Sequence, residues 1–285
     1  MPKIIDAHHH FWDPARGHFP WMAGDAMAPI RRVFAPEHLA PLLRDARVDA
    51  TVLVQTQASL DETRDFLATA AATPFVAGVV GWVDLTSPAA GDDIAALKAR
   101  PDGRYLVGIR HLVQDEADPD WLLRTDVRRG LKAVEAHGLV YDLLLKPRDL
   151  PAATRLVAEM PGLRFVVDHI AKPMIGRGIY APWAEQMRAF RGQRDHVWCK
   201  LSGMVTEANW RNWTADDLRP YVETALSTFG TARCLFGSDW PVCTLAGSYL
   251  EVKGALEECT SGLTVDERAA VYGGTAAGVY ALQMS

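Results

Sequence analysis

Eight short apolar runs recur along the chain, and each is rich in Val, Ile and Leu. The runs are nearly continuous in apolar character rather than alternating, which is typical of strands that are buried on both faces in a parallel sheet. They occupy residues 3–7, 51–55, 75–83, 106–110, 139–145, 163–168, 196–201 and 233–237. This pattern predicts a protein of the α/β class.

Segments with a helical period separate the runs, and several begin or end with recognisable signals. Ser59 with Glu62 forms a candidate capping box, Ser87-Pro88 predicts a proline in the first turn of the next helix, and Gly138 is a candidate C-terminal cap. Eight strands that alternate with helices predict right-handed crossovers, and eight is the number that closes a TIM-like (β/α)8 barrel. The alternative is a doubly wound open sheet, but no glycine-rich dinucleotide turn follows the first run.

The composition is that of a globular protein. The chain has 285 residues, of which 49% are hydrophobic and 23% are charged, and its net charge is −5. We expect a single barrel domain, residues 1–285. The mild negative charge argues against a nucleic-acid partner, because such domains usually present a basic face. The sequence shows no apolar leader and no run near the ~18 residues that span a bilayer, so we expect a cytoplasmic protein with no membrane partner, and homo-oligomerisation stays open.

Polar residues follow the runs at the positions where a barrel places its active site. His8 and His10 follow the first run, and because they are two residues apart on an extended chain, their side chains face the same way. His169 follows the sixth run and Asp239 follows the eighth. Together they could hold one zinc or iron ion with room for water, or bind a substrate oxygen directly. A lone histidine is more often structural, but four such groups at strand ends favour a catalytic site.

Three further side chains at strand ends are candidates for substrate binding. Arg110 ends the fourth run, Lys146 follows the fifth, and Gln55 ends the second. The two cations either bind substrate oxygens or pair with aspartates such as Asp142 and Asp168. Gln55 suits a hydroxyl group of the substrate.

Three tryptophans lie in or beside the predicted loops at the barrel mouth, namely Trp12, Trp21 and Trp240. Their rings suit stacking on the C–H face of a sugar, and an indole N–H can donate to a hydroxyl group. Core packing beneath the loops is the alternative. Trp21 belongs to the longest irregular segment, residues 13–36, and a loop of that length is usually functional.

Five segments of the sequence resemble the amidohydrolase superfamily: DAHHHFWD, FPWM, VGIRH, VDHIAKP and LFGSDWPV. More narrowly, they resemble its lactonase branch, which includes sugar-lactone hydrolases and 2-pyrone-4,6-dicarboxylate lactonase. The likeness covers nearly the whole chain, and these segments in this order are specific for the branch. The resemblance implies an amidohydrolase-type barrel in which His8, His10, His169 and Asp239 face the substrate and act as the ligands of any metal.

The sequence departs from the binuclear members of that superfamily. Those proteins carry a bridging carboxylated Lys or a Glu at strand four and a His at strand five, whereas this chain has Arg110 and Lys146 there. We therefore expect one divalent metal at most, with zinc as the first choice. Catalysis without a metal is the alternative.

The resemblance implies hydrolysis of a small lactone, with Asp239 as the general base for water and His8, His10 and His169 polarising the carbonyl group. The strand ends offer many Trp and neutral polar groups but few cations. We therefore expect a sugar-derived aldonolactone of the L-fucono or L-rhamnono type rather than a dicarboxylate. The alternatives are a metal-dependent decarboxylase of an aromatic acid, a 2-pyrone-4,6-dicarboxylate-type lactonase, and an inactive barrel that only binds a ligand.

Overall fold

The computed structural model describes residues 2–193 and 195–283. Within these residues, eight parallel strands form one sheet, and each strand pairs with the next in chain order. This arrangement confirms the predicted (β/α)8 barrel. The strands are β1 (Ile5–His9), β2 (Ala50–Val54), β3 (Val76–Gly81), β4 (Leu106–His111), β5 (Val140–Leu143), β6 (Arg164–Val167), β7 (Val197–Leu201) and β8 (Cys234–Phe236).

The first and last strands meet just beyond their carboxyl ends. The backbone N–H of His10 donates to the carbonyl oxygen of Trp240 at 2.7 Å, and the N–H of Asp239 donates to the carbonyl oxygen of His8 at 2.8 Å. His9 and Trp240 also form a parallel bridge. These contacts bring the polar residues that follow β1 and β8 side by side.

The helices connect the strands and cover the sheet. Ser59 Oγ accepts the N–H of Glu62 at 3.2 Å, but the predicted capping box is incomplete, because the Glu62 carboxylate accepts from the N–H groups of Thr56 and Gln57 instead. The proline start predicted for the third helix is wrong, because that helix begins at Ala90 and Pro88 lies in the preceding turn. The helices are α1 (Pro36–Ala46), α2 (Leu60–Ala72), α3 (Ala90–Lys98), α4 (Thr125–Ala136), α5 (Leu150–Glu159), α6 (Ala181–Arg188), α7 (Met204–Glu207), α8 (Ala215–Phe229), α9 (Tyr249–Cys259), α10 (Val265–Ala269) and α11 (Thr275–Val279).

Two element boundaries differ from the sequence prediction. β1 extends to His9 rather than to residue 7, because the buried histidines continue the strand after the apolar run stops. The helical period of residues 264–281 predicts one continuous helix, whereas the structure has α10 and α11 joined by a π-helical turn, Ala270–Gly274. The backbone of this turn lies close to the N-terminal segment, because a Cβ atom on Gly273 would be 2.0 Å from the carbonyl oxygen of Lys3.

The long segment 13–36 is ordered by its own contacts. It contains two 3₁₀ helices, Pro20–Met22 and Asp25–Ile30. Trp12 Nε1 donates to the carbonyl oxygen of Ile30 at 3.0 Å, and Trp12 and Phe34 exchange two backbone hydrogen bonds. These hydrogen bonds hold the two ends of the segment together. In the described part of the chain, no helix has the length and apolar character needed to cross a membrane.

Candidate active site

Three histidines and one aspartate converge at the carboxyl ends of β1, β6 and β8. His8 Nε2 lies 3.2 Å from His10 Nε2 and 3.7 Å from Asp239 Oδ1. The same carboxylate oxygen lies 3.4 Å from His10 Nε2 and 3.8 Å from His169 Nε2. All four side chains are buried. The structure thus brings together the four residues that the strand-end positions indicated.

His169 begins a strained backbone turn. Residues 169–172 all have positive φ, between 47° and 56°, a left-handed region that residues other than glycine rarely adopt. The N–H of Lys172 closes the turn on the carbonyl oxygen of His169 at 2.9 Å. Gly203 leaves room for the ring, because a Cβ atom there would lie 2.6 Å from His169 Nδ1. Strain of this kind collects at functional sites, and here it fixes where the His169 ring points.

Two of the imidazoles, His10 and His169, have a hydrogen-bond partner at Nδ1, the ring nitrogen that faces away from Asp239. His10 Nδ1 lies 2.7 Å from the carbonyl oxygen of Val54, which can only accept, so Nδ1 carries a proton and donates it. His169 Nδ1 lies 2.9 Å from Ser202 Oγ. Burial lowers the pKa of His169 to about 4, so this ring is neutral at pH 7. Both rings therefore direct Nε2 towards Asp239.

His8 lies between two cations. Its Nδ1 is 3.1 Å from Lys200 Nζ, and its Nε2 is 3.3 Å from Arg110 Nη1. Burial and the charge of Lys200 hold the pKa of His8 well below its ordinary value, so the ring is neutral and has one N–H and one lone pair. Beside His8 Nδ1, Lys200 Nζ is a donor and Asp168 Oδ1, at 3.5 Å, is an acceptor. His8 Nε2 lies beside Arg110 Nη1, which can only donate, and 3.2 Å from His10 Nε2.

A buried ion network supports the histidines. Lys200 Nζ lies 2.5 Å from Asp142 Oδ2 and 2.9 Å from Asp168 Oδ1, and none of these three side chains has exposed surface. Arg110 Nη1 donates to the other oxygen of Asp168 at 3.0 Å, and the Tyr280 hydroxyl lies within 2.9 Å of both oxygens of Asp142. Burial would raise the pKa of Asp168, but Lys200 keeps it well below its ordinary value. Two cations thus balance two carboxylates, which is the condition for burying charge without a large penalty.

A cavity of about 100 Å³ opens onto the converging side chains. Its apolar wall comes from Trp21, Leu112, Leu144 and Val242. Gln114 also lines it, and in the described residues Gln114 Oε1 is buried without a hydrogen-bond partner. A larger cavity of about 480 Å³ adjoins it and shares several of its residues. The polar groups that complete the smaller cavity are His10, Thr56, Arg110, Asp115, His169, Lys172 and Asp239.

Two of the predicted substrate-binding residues line this cavity, namely Trp21 and Arg110. Trp21 Nε1 donates to the carbonyl oxygen of Thr56 at 3.2 Å, so the ring is held in place. Arg110 Nε and Nη2 donate to Gln55 Oε1 at 3.1 and 2.9 Å, and the ion-pairing alternative is realised through Asp168. Gln55 is itself fully buried, so it positions Arg110 rather than facing the cavity.

The structure does not bring the other three predicted substrate-binding residues to the cavity wall. Trp12 and Trp240 are 5% and 2% exposed, and both pack edge-on against Phe34 beneath the first loop. The core-packing alternative therefore describes their positions. Lys146 is half exposed, and its Nζ donates to the backbone carbonyl of Gln114 at 2.9 Å.

Sequence reasoning did not assign the groups that orient the histidines. Asp142 and Lys200 each interrupt an apolar run, and a charged residue in a strand buried on both faces must be paired. The two charged residues within apolar runs thus predict buried ion pairs, but the sequence does not show which cation pairs with which carboxylate. The partner of Asp142 on the far side, Tyr280, is close to the C-terminus and carries no local motif.

The donor set fits one divalent metal ion. Ligand atoms of His8, His169 and Asp239 lie within 4.8 Å of one another, and His10 Nε2 adjoins them. Imidazole nitrogens with one carboxylate are typical ligands of divalent transition metals. Binding at His8 Nε2 requires its proton to sit on Nδ1, where Asp168 Oδ1 is available as an acceptor at 3.5 Å.

Comparison with known proteins agrees with this geometry. The amidohydrolase family model matches residues 5–282. An L-fucono-1,5-lactonase of Burkholderia ambifaria is 42% identical over 98% of this chain and 96% of that protein, and an L-fucono-1,5-lactonase of Burkholderia multivorans is 39% identical over the same shares. The crystal structure of a Burkholderia multivorans amidohydrolase with bound zinc matches 99% of this chain and 100% of its own, at 38% identity and a TM-score of 0.92. This chain therefore belongs to the amidohydrolase family.

Proposed function

We propose that this chain hydrolyses a small lactone, namely a sugar-derived aldonolactone of the L-fucono type. The observation that carries the proposal is the convergence of three imidazoles and the Asp239 carboxylate beside a cavity of about 100 Å³, whose wall includes His10, His169 and Asp239. The two relatives at 39% and 42% identity that are L-fucono-1,5-lactonases support the substrate class. The chain is accordingly a hydrolase that acts on a cyclic carboxylic ester.

In this proposal Asp239 is the general base. Burial would raise the pKa of Asp239, but His169 and His10 outweigh that effect and keep its pKa below the ordinary value. The carboxylate is therefore ionised at pH 7 and can take a proton from the attacking water. It returns that proton to the ring oxygen as the C–O bond of the lactone breaks, which leaves an alcohol and a carboxylic acid. The acid then releases its proton to solvent at pH 7.

The imidazoles act on the carbonyl side of the reaction. His8, His10 and His169 would hold one divalent ion together with Asp239, and zinc is the ion that this donor set suits best. When bound, such an ion polarises a carbonyl group and lowers the pKa of water. The buried partners of the rings keep each Nε2 directed at the same point, so substrate can also be bound by direct hydrogen bonds.

The cavity suits a neutral, polyhydroxylated substrate better than a dicarboxylate. Gln114 Oε1 is a buried acceptor that a substrate hydroxyl can satisfy, and Trp21 offers an apolar surface for sugar C–H groups. Two carboxylates would need several cations, yet Arg110 is already paired with Asp168. Asp115 also lines this cavity, and its negative charge would repel a dianion.

A pH-indicator screen tests the proposal. Purified protein is offered aldonolactones with five- and six-membered rings, 2-pyrone-4,6-dicarboxylate and a set of aromatic acids, each with and without chelator. We expect acid release from the aldonolactones, with L-fucono-1,5-lactone among the best. Carbon dioxide release from aromatic acids without acid from any lactone would contradict the proposal, and a preference for the dicarboxylate would contradict the substrate charge. Activity that chelator abolishes and zinc restores would assign the metal.

A further inference from the structure

Lys172 is a second cation on the wall of the small cavity, where it lies beside His169 and Asp239. Its side chain is 24% exposed, so it is accessible to solvent. Lys172 also ends the left-handed turn that His169 begins. One strained segment of backbone therefore fixes both a candidate catalytic ring and a positive charge on the same wall.

The ammonium group of Lys172 has donors to spare. Its charged partner within the described residues is Glu207, whose Oε1 lies 4.0 Å from Lys172 Nζ, beyond hydrogen-bond distance. Arg110, by contrast, donates to Gln55 and Asp168, and its Nη1 lies 3.3 Å from His8 Nε2. Of these two cations on the cavity wall, Lys172 is the one that can bind a ligand without first losing a buried partner.

We propose that Lys172 binds the lactone oxygen on which negative charge develops, an inference that rests on the lactonase function proposed above. Water attacks the carbonyl carbon while Asp239 takes its proton, and the π pair of the carbonyl group moves onto the carbonyl oxygen, where the ammonium donates a hydrogen bond. When that pair returns, the ring C–O bond breaks and the ring oxygen takes the proton from Asp239. Lys172 then faces the carboxylate of the ring-opened acid.

The surroundings of Lys172 make such a contact effective. A donor that is already aimed at a developing oxyanion needs no reorganisation during the reaction, and removing one such donor typically lowers kcat by about 10²–10³-fold. Burial is the main cause of the low pKa of His169, and the charge of Lys172 adds to it. The charge of Lys172 also helps to lower the pKa of Asp239. Lys172, His169 and Asp239 line the same cavity, so one ligand there can contact all three.

Lys172→Met and Lys172→Arg test the assignment, with Lys132→Met on the exposed face of α4 as the matched control. The substrate is whichever aldonolactone the wild type opens, and kcat, KM and the inhibition constant of its ring-opened acid are measured separately. We expect Lys172→Met to lower kcat by about 10²-fold with KM changed by less than about threefold, in line with the loss of one oxyanion donor. The acid should bind about tenfold more weakly, Arg should restore part of both effects, and Lys132→Met should behave as wild type.

The outcomes separate this inference from the function on which it rests. If the wild type opens no lactone, the proposed lactonase function fails first. If the wild type is active and Lys172→Met keeps its kcat and its affinity for the acid, Lys172 is not the oxyanion contact. Equal losses of kcat in the Met and Arg variants, together with lower thermal stability in both and unchanged affinity for the acid, would also overturn the inference, because they indicate a structural role.

Discussion

Lys200 Nζ lies 3.1 Å from His8 Nδ1 and forms a fully buried ion pair with Asp142 at 2.5 Å. His8 is therefore held in position by a buried ion pair that water does not reach. Lys200→Met removes one cation and leaves Asp142 and Asp168 facing each other without their shared partner. Breaking a buried pair in this way typically lowers the free energy of unfolding by about 3–5 kcal/mol.

Urea unfolding followed by circular dichroism measures this effect. Lys253→Met is the control, because its pair with Glu257 at 2.6 Å is partly exposed and should contribute less than about 1 kcal/mol. Adding Asp142→Asn to Lys200→Met should recover part of the loss, since one unpaired charge is removed. A Lys200→Met protein that unfolds at the wild-type urea concentration would show that the network is not needed for stability.

Gly203 should tolerate no side chain. A Cβ atom there would lie 2.6 Å from His169 Nδ1 and 2.9 Å from His169 Cβ, and the φ of Gly203 is +63°. Gly203→Ala should therefore displace the His169 ring and lower kcat by at least about tenfold, a 1.4 kcal/mol change in the barrier. Gly254→Ala in α9 is the control, since a Cβ atom there meets nothing within 4 Å and alanine favours a helix. Wild-type kcat in Gly203→Ala would contradict the proposed placement of His169.

The barrel and the four converging residues could be predicted because their signals are local. Apolar runs mark the strands, and the strand order of a barrel then sets where each strand ends. His8, His10, His169 and Asp239 follow such ends directly, so the fold places them together.

The interior of the site could not be predicted in the same way. Which cation pairs with Asp168 depends on distances across the barrel, and a sequence does not contain them. Trp240 follows a strand end just as Asp239 does, yet the ring of Trp240 turns beneath the first loop and packs against Phe34. Residues 169–172 all have positive φ, but none of them is a glycine, so the sequence gives no sign of this backbone conformation.

His9 should make folding stability depend on pH. Burial lowers the pKa of His9 to about 3, against about 6.5 in an unfolded chain. Between these values the unfolded state binds a proton that the folded state excludes, so the stability tied to neutral His9 is lost as the pH falls through this window. His9→Gln removes this contribution, and the difference in unfolding free energy between wild type and His9→Gln should shrink from pH 7 to pH 4.5. Buried acids such as Asp6 and Glu62 are present in both proteins and cancel. A difference that stays constant over that range would contradict the pKa of His9.

Metal content should not exceed one ion per chain. The strand ends where a second ion would need ligands carry Arg110, which is paired with Asp168, and Lys146, which is half exposed. Protein dialysed against excess zinc and then freed of loosely bound ions should contain at most one zinc by elemental analysis. His169→Asn should reduce that content, whereas His137→Asn, at the end of α4, should not. Two tightly bound ions per chain would refute the single-site reading.

The central claim is that the Asp239 carboxylate activates water for opening a sugar lactone. The most direct test is the initial rate of acid release from L-fucono-1,5-lactone by wild type and by Asp239→Asn, with the exposed Asp216→Asn as the control. Asparagine keeps the shape of the side chain but cannot accept the proton, so kcat should fall by about 10²–10⁴-fold. Asp216→Asn should keep wild-type kcat. Near-normal turnover by Asp239→Asn would contradict the account.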